Sequence, residues 1–179
     1  MLHKFNTSQF IKILFTGMIL SSTTAFADET RCKKDYGSVI SKEMTQMSTA
    51  LNSGNYQYIA DKSDSSIIEL AGGQENYNAM LVLAADSLKK GNIHVEKVDI
   101  QPPQNSYIFG KKEFCVIPKQ LTILMNGKAM TGEKSFMLAV RSLESQEWKY
   151  IDGTGFKKNP DLLYTLFPEI PHDKHIIPE

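Results

Sequence analysis

The sequence predicts an α+β domain with its helices first and an antiparallel sheet after them. Three observations predict it. Apolar residues recur at three- and four-residue spacing in the first half of the chain, the signature of amphipathic helices. The run Phe114–Met125 is long and apolar, and Asn126-Gly127 follows it as a tight-turn signal. A second strand-like run, Ala129–Val140, then returns, and Glu147–Asp152 adds a third strand carrying the only tryptophan, Trp148. Three antiparallel strands in sequence make a meander.

The fold does not begin at residue 1. Lys4 and Lys12 supply a basic start, Ile13–Leu20 an apolar core, and Ala25-Phe-Ala27 a small-x-small cleavage site. That is the grammar of a secretory signal peptide. The apolar core is too short for a membrane span, which needs about 20 residues. The expectation is a single mature domain over residues 28–179, periplasmic or secreted, with no membrane insertion. The leader's two lysines are the only charges lost, so the mature chain is near −2. That balance offers no basic field for nucleic acid or anionic lipid. Two cysteines remain, Cys32 and Cys115, and an oxidising compartment allows them to pair. Two unpaired cysteines, with Cys115 filling the core, are the other reading.

Along the mature chain, Tyr36, Val39, Ile40, Met44, Met47 and Leu51 share one face of a helix over Cys32–Leu51, stopped by Asn52-Ser-Gly54. Asn55 caps a short second helix through Ile59, and residues 61–66 read as a polar linker. Ile67–Leu70 is one or two helical turns before Gly72-Gly73. Tyr77, Met80, Leu81, Ala84, Ala85 and Leu88 form the stripe of a third helix, Gln74–Lys90. Ile93–Ile100 is the first strand. Its apolar phase slips near Glu96-Lys97, as a bulge would make it do, although lax edge-strand patterning gives the same sign. Tyr107–Phe109 is a short further strand. Residues 160–167 read as an amphipathic helical turn, and the tail 169–179 either lies over the sheet or frays. Ile176 and Ile177 argue for docking.

Both phases of Phe136–Val140 are largely apolar, so both sheet faces need cover. Helices cover one. The other requires the chain's own tail, a second copy or a ligand.

The order of a helix, a short helix, a helix preceded by Gly72-Gly73 and then a curved antiparallel sheet resembles the NTF2-like (cystatin-like α+β cone) superfamily, and Ala50–Ile59 looks like the first helix-to-helix junction of such domains. Ile68–Glu75, Val116–Pro118, Ser135–Met137, Trp148–Gly153 and Leu166–Pro168, in that order, are similar in particular to a group of uncharacterised secreted bacterial proteins of that kind. The resemblance implies three N-terminal helices on a curved mixed or antiparallel sheet of four to five strands, with a pocket between the helices and the concave face. Catalytic members use a pocket acid, histidine or tyrosine pair, and no residue here is clearly matched to one.

Candidate chemistry is sparse. His172 and His175 have H-x-x-H spacing, but Pro171 and Pro178 disfavour a helix there, and two imidazoles alone are not a metal site. His94 stands apart. Gly72-Gly73 and Gly153-x-Gly155 lack the spacing and lysine of a phosphate loop and read as turns. Asp99, Tyr107, Phe136, Trp148, Tyr150 and Asp152 are the best candidates for a pocket wall. A carboxylate desolvated there gains basicity, yet Asp152 before Gly153 equally suits a turn, and the aromatics equally suit a core. The functional expectation is an exported non-catalytic domain without metal or cofactor. It would bind a small apolar or peptide-like ligand, or homodimerise through the open sheet face. The alternative is a hydrolase or isomerase with Asp99 or Asp152 as its base.

Overall fold

A computed structural model describes residues 30–178. The expected leader and cleavage site fall outside the described residues. The architecture is α+β, with helices packed against a curved antiparallel sheet.

Four helical units precede the sheet, one more than expected. The first is a continuous run of α1 (Arg31–Asp35), a π turn (Tyr36–Ile40) and α2 (Ser41–Ser53). It ends at Gly54, whose φ of 77° is the left-handed C-terminal geometry that glycine adopts without a Cβ penalty. Next comes α3 (Tyr56–Lys62), capped as predicted by Asn55, whose side chain accepts from the Tyr58 N–H. Then α4 (Ser65–Leu70) starts where a linker was expected. Asp64 caps it, accepting from the Ser66 N–H at 2.9 Å. Last is α5 (Gln74–Lys90).

The sheet has six strands, not four or five, and every pairing is antiparallel: β1 (Ile93–Ile100), β2 (Asn105–Phe109), β3 (Lys112–Met125), β4 (Lys128–Thr131), β5 (Ser135–Ser142) and β6 (Lys149–Asp152). The long β3 is the spine. Along one edge it pairs first with β2 and then with β1; along the other, with β5 and then with β4. Both edges change partner near Pro118–Gln120. The returning strand read as Ala129–Val140 is therefore two strands. Gly132 marks the break, its N–H donating to the Leu121 carbonyl at 2.8 Å. The bulge in β1 falls between Val95 and Lys97, as the slipped phase predicts. Breaks on both edges at one level of the spine let the sheet curl rather than lie flat.

Two cores occupy the two faces. On the inner face Cys115, Ile117, Ala139, Trp148 and Tyr150 pack against Cys32, Ile40 and Met44 of the helices. On the outer face Phe114, Val116, Phe136, Leu138 and Val140 pack against the chain's own C-terminal segment. That segment comprises α6 (Thr154–Lys158), unexpected from the sequence, α7 (Asp161–Leu166) and the tail. Phe156, Leu163, Phe167, Ile170 and Ile176 are its buried contacts. The tail docks: Lys112 pairs with Glu169 at 3.0 Å, and the Tyr164 hydroxyl donates to the Lys174 carbonyl. So this half of the outer face is closed by the chain itself. The far half, around β4, is open: Ala129 and Thr131, on the outer phase with Leu124 and Thr122, are exposed.

Cys32 and Cys115 form a disulfide, with Cα atoms 5.6 Å apart. Beside it lies a buried polar cluster. Glu113 accepts from the Cys32 N–H at 2.9 Å and so caps α1, and its other oxygen takes the guanidinium of Arg141, its cross-strand partner. Trp148 stacks under that guanidinium and donates its indole N–H to Asp35 at 3.1 Å.

Two predictions concern stability. The disulfide closes a loop of 83 residues, so its reduction should lower stability by about 4–5 kcal/mol. Urea titration with and without reductant measures this, and coincident midpoints would refute it. A Cβ on Gly153 would sit 2.4 Å from the buried Phe136 ring, whereas one on Gly155 meets nothing within 4 Å. Gly153→Ala should cost about 1–3 kcal/mol through overpacking. Gly155→Ala, within α6, should be neutral or slightly stabilising. Equal midpoints for the two variants would contradict the contact.

Candidate functional site

The inner face is sealed at one end and hollow at the other. At the sealed end α1 lies tight on the sheet through the disulfide and the Glu113 cluster. Further along, α2, α3, α4 and α5 arch over the sheet and leave a cavity of about 370 Å³. Its wall is mainly apolar. Met44, Met47 and Leu51 come from α2, Ile59 from α3 and Leu81 from α5, while Val95, Val98, Leu121 and Met137 come from the sheet. The helical residues reach it because they repeat on the faces that the apolar spacing defines. On α5, Met80, expected in the apolar stripe, is instead exposed, as is Leu83.

Few polar groups enter the cavity, and most are already spoken for. The Ser63 hydroxyl donates to the Ile59 carbonyl and shares a 2.8 Å hydrogen bond with the Tyr77 hydroxyl. Tyr150 donates its hydroxyl to Glu43 at 2.6 Å, and Glu43 also pairs with Lys62. Burial, then the hydrogen bond to the Glu43 carboxylate, pushes the Tyr150 phenol far above its ordinary range. It is a fixed donor and does not ionise at ordinary pH.

The remaining polar residues are Ser48 of α2 and the pair Lys119 and Asp152. Lys119 follows the bend in β3 and shares the inward phase of Ile117 and Leu121, so its side chain is only 4 % exposed. Its ammonium donates to Asp152 at 2.6 Å, and Asp152, 55 % exposed, stands at the rim. Burial raises the Asp152 carboxyl, but the Lys119 charge and hydrogen bonds from Lys119 and Thr154 outweigh it, and the net shift is downward.

The structure thus brings together only two of the six expected wall residues, Tyr150 and Asp152. Asp99 points to the other side of β1 and pairs with Lys97 at 2.6 Å. Tyr107 and Phe136 belong to the outer core, where Tyr107 stacks on Phe109. Trp148 is buried at the sealed end. The sequence does not single out Lys119, Tyr77, Met44 or Met47 as site residues. Lys119 was findable, because it sits two residues from Leu121 in the same strand phase. His172 stacks on Tyr164. Among the described residues no group of His, Cys, Asp and Glu is arranged to hold a metal, and no helix is long and apolar enough to cross a membrane.

Fold and site together define a class: an α+β domain whose helices arch over a curved, partly open antiparallel sheet and enclose an apolar cavity. At that coarse level the layout is consistent with an NTF2-like arrangement. No family model matches the chain, and no curated protein or solved structure matches it significantly.

The lowered carboxyl gives a pH prediction. A carboxylate whose pKa is depressed on folding stabilises the protein above the unfolded value and loses that contribution as pH falls through the folded one. The stability gap between wild type and Asp152→Asn should therefore stay constant from neutral pH down to about 4 and close only below it. A gap that closes between pH 7 and 5 in urea titrations would rule out the downward shift.

Proposed function

We propose that the protein is an exported, non-catalytic binding domain of the NTF2-like type whose cavity takes a small apolar ligand. The observation that carries this reading is the cavity itself. It is roofed by four helical units, walled by methionine, leucine, isoleucine and valine, and within the roughly 300–1,000 Å³ range of small-molecule sites. Methionine-rich walls adapt to varied apolar shapes at low cost. Export is supported by the leader grammar and by the Cys32–Cys115 bond, which persists in oxidising compartments.

The hydrolase or isomerase reading has less support. A base needs a free carboxylate of raised pKa beside bound substrate. Asp152 is held in an ion pair with its pKa lowered, and Asp99 points away from the cavity. Homodimerisation is restricted to the open half of the outer face near β4, because the other half is buried under α6, α7 and the tail.

Titration with the neutral, environment-sensitive dye Prodan tests the binding role. Saturable blue-shifted emission is expected with the wild type. Met47→Trp, which fills the cavity from α2, should weaken it about tenfold. Emission that never saturates, or that ignores the Met47 substitution in a folded variant, would count against the reading.

A further inference from the structure

We propose that Lys119 is the headgroup-recognition residue of the cavity, and that the ligand is an uncharged apolar molecule with a carbonyl-type acceptor at one end. This rests on the binding role proposed above and specifies its chemistry.

The argument begins with donor count. A lysine ammonium carries three N–H donors. Among the described residues Asp152 is the only hydrogen-bond partner of Lys119, leaving two donors unspent. Those donors sit on a side chain 4 % exposed, at a cavity wall otherwise formed by Val98, Leu121, Met137 and similar groups. The other polar groups there do not offer the same opening. Tyr150 is committed to Glu43, Tyr77 and Ser63 to each other, and Ser48 offers a neutral hydroxyl rather than a charged donor. A ligand acceptor beside Lys119 would therefore meet a charged donor in a mostly apolar surrounding, where such a hydrogen bond is at its strongest.

Charge decides which acceptor. Asp152 lies 2.6 Å from the ammonium and already neutralises it. A carboxylate or phosphate head would have to shed its water and then sit close to a second anion, and like-charge juxtaposition of that kind is disfavoured. A cationic head has no acceptor for Lys119 and is repelled by it. A ketone, ester or amide carbonyl meets the spare donors and faces neither penalty. The apolar body then lies along Met44, Met47 and Leu81 toward the helical roof.

The test is a charge series on one alkyl chain: 2-octanone, octanoate and octylammonium, each competing with bound Prodan and each titrated calorimetrically. Wild type should bind 2-octanone about tenfold more tightly than octanoate, with octylammonium weakest. Lys119→Met should lose about tenfold in 2-octanone affinity, the worth of one hydrogen bond from a charged donor. Asp152→Asn keeps an acceptor at an exposed position and leaves Lys119 uncompensated, so octanoate should gain about a hundredfold and overtake the ketone about tenfold. This second variant answers the question even if Lys119→Met does not fold. Octanoate or octylammonium binding tightest to wild type overturns the inference, as does an unchanged order in Asp152→Asn. If Prodan binds and none of the three competes, the headgroup assignment falls while the binding role stands. If Prodan and all three fail to bind, both fall.

Discussion

The attachment of residue 32 to the sheet is the constraint on which the rest depends. Two unrelated interactions make it. The Cys32 side chain is bonded to Cys115, and the Cys32 backbone N–H is capped by Glu113, two residues earlier on the same strand face. Arg141 neutralises that glutamate from the adjacent strand, and Trp148 ties Asp35 into the same cluster. A buried carboxylate is tolerated because each of its oxygens has a donor. Removing Arg141 would leave a buried charge uncompensated, which commonly costs about 3–5 kcal/mol. With one end of the helical layer fixed so tightly, the bend in β3 curls the far end of the sheet around the helices, where Asn52 of α2 holds the Val95 backbone of β1, and the hollow lies between. Closure and hollow are two results of one geometry: tight contact at Cys32 and curvature at Pro118–Gln120.

Short-range signals were legible. Asn126-Gly127 specified a turn, and both residues take positive φ there, 52° and 77°. Asn55 specified a cap, and the slipped phase near Glu96 a bulge. What escaped was set by contacts distant in sequence. The run Ala129–Val140 looks continuous because β4 and β5 pair with one strand, β3, at two different levels, and only the register reveals the break. Gly153-Thr-Gly155 reads as a turn, yet a helix starts at Thr154 because Phe156 is drawn into the outer core. At the site, aromatic residues were given weight that burial assigns to packing instead. Lys119 was passed over because lysine in a strand ordinarily marks the wet face. Here the residue's phase, not its type, decides its orientation.

The two sheet faces differ in how they are covered. The inner face is roofed by separate helices that meet it near the disulfide and again at β1, where Asn52 of α2 hydrogen-bonds the Val95 backbone, so a ligand-sized volume survives between the two contacts. The outer face is covered in van der Waals contact by α6, α7 and the tail. There Phe114 meets Phe167 edge-on at 5.1 Å, and Phe136 packs on Phe156. Fully burying each such ring contributes on the order of 1.5–3 kcal/mol. Close packing thus covers the outer side of the sheet, while the inner side combines the disulfide-fixed end with adaptable space.

The position of the outer cover at the end of the chain also orders events in time. By Asp152 every strand of the sheet has been made, and its hydrogen-bonded ladder can be complete. Its outer side is still a bare surface of phenylalanine, leucine and valine until residues through Ile176 arrive. A chain delivered from its N-terminal end therefore passes through an interval in which its backbone is satisfied but its largest apolar face is not. During that interval it is at its most prone to associate with other chains.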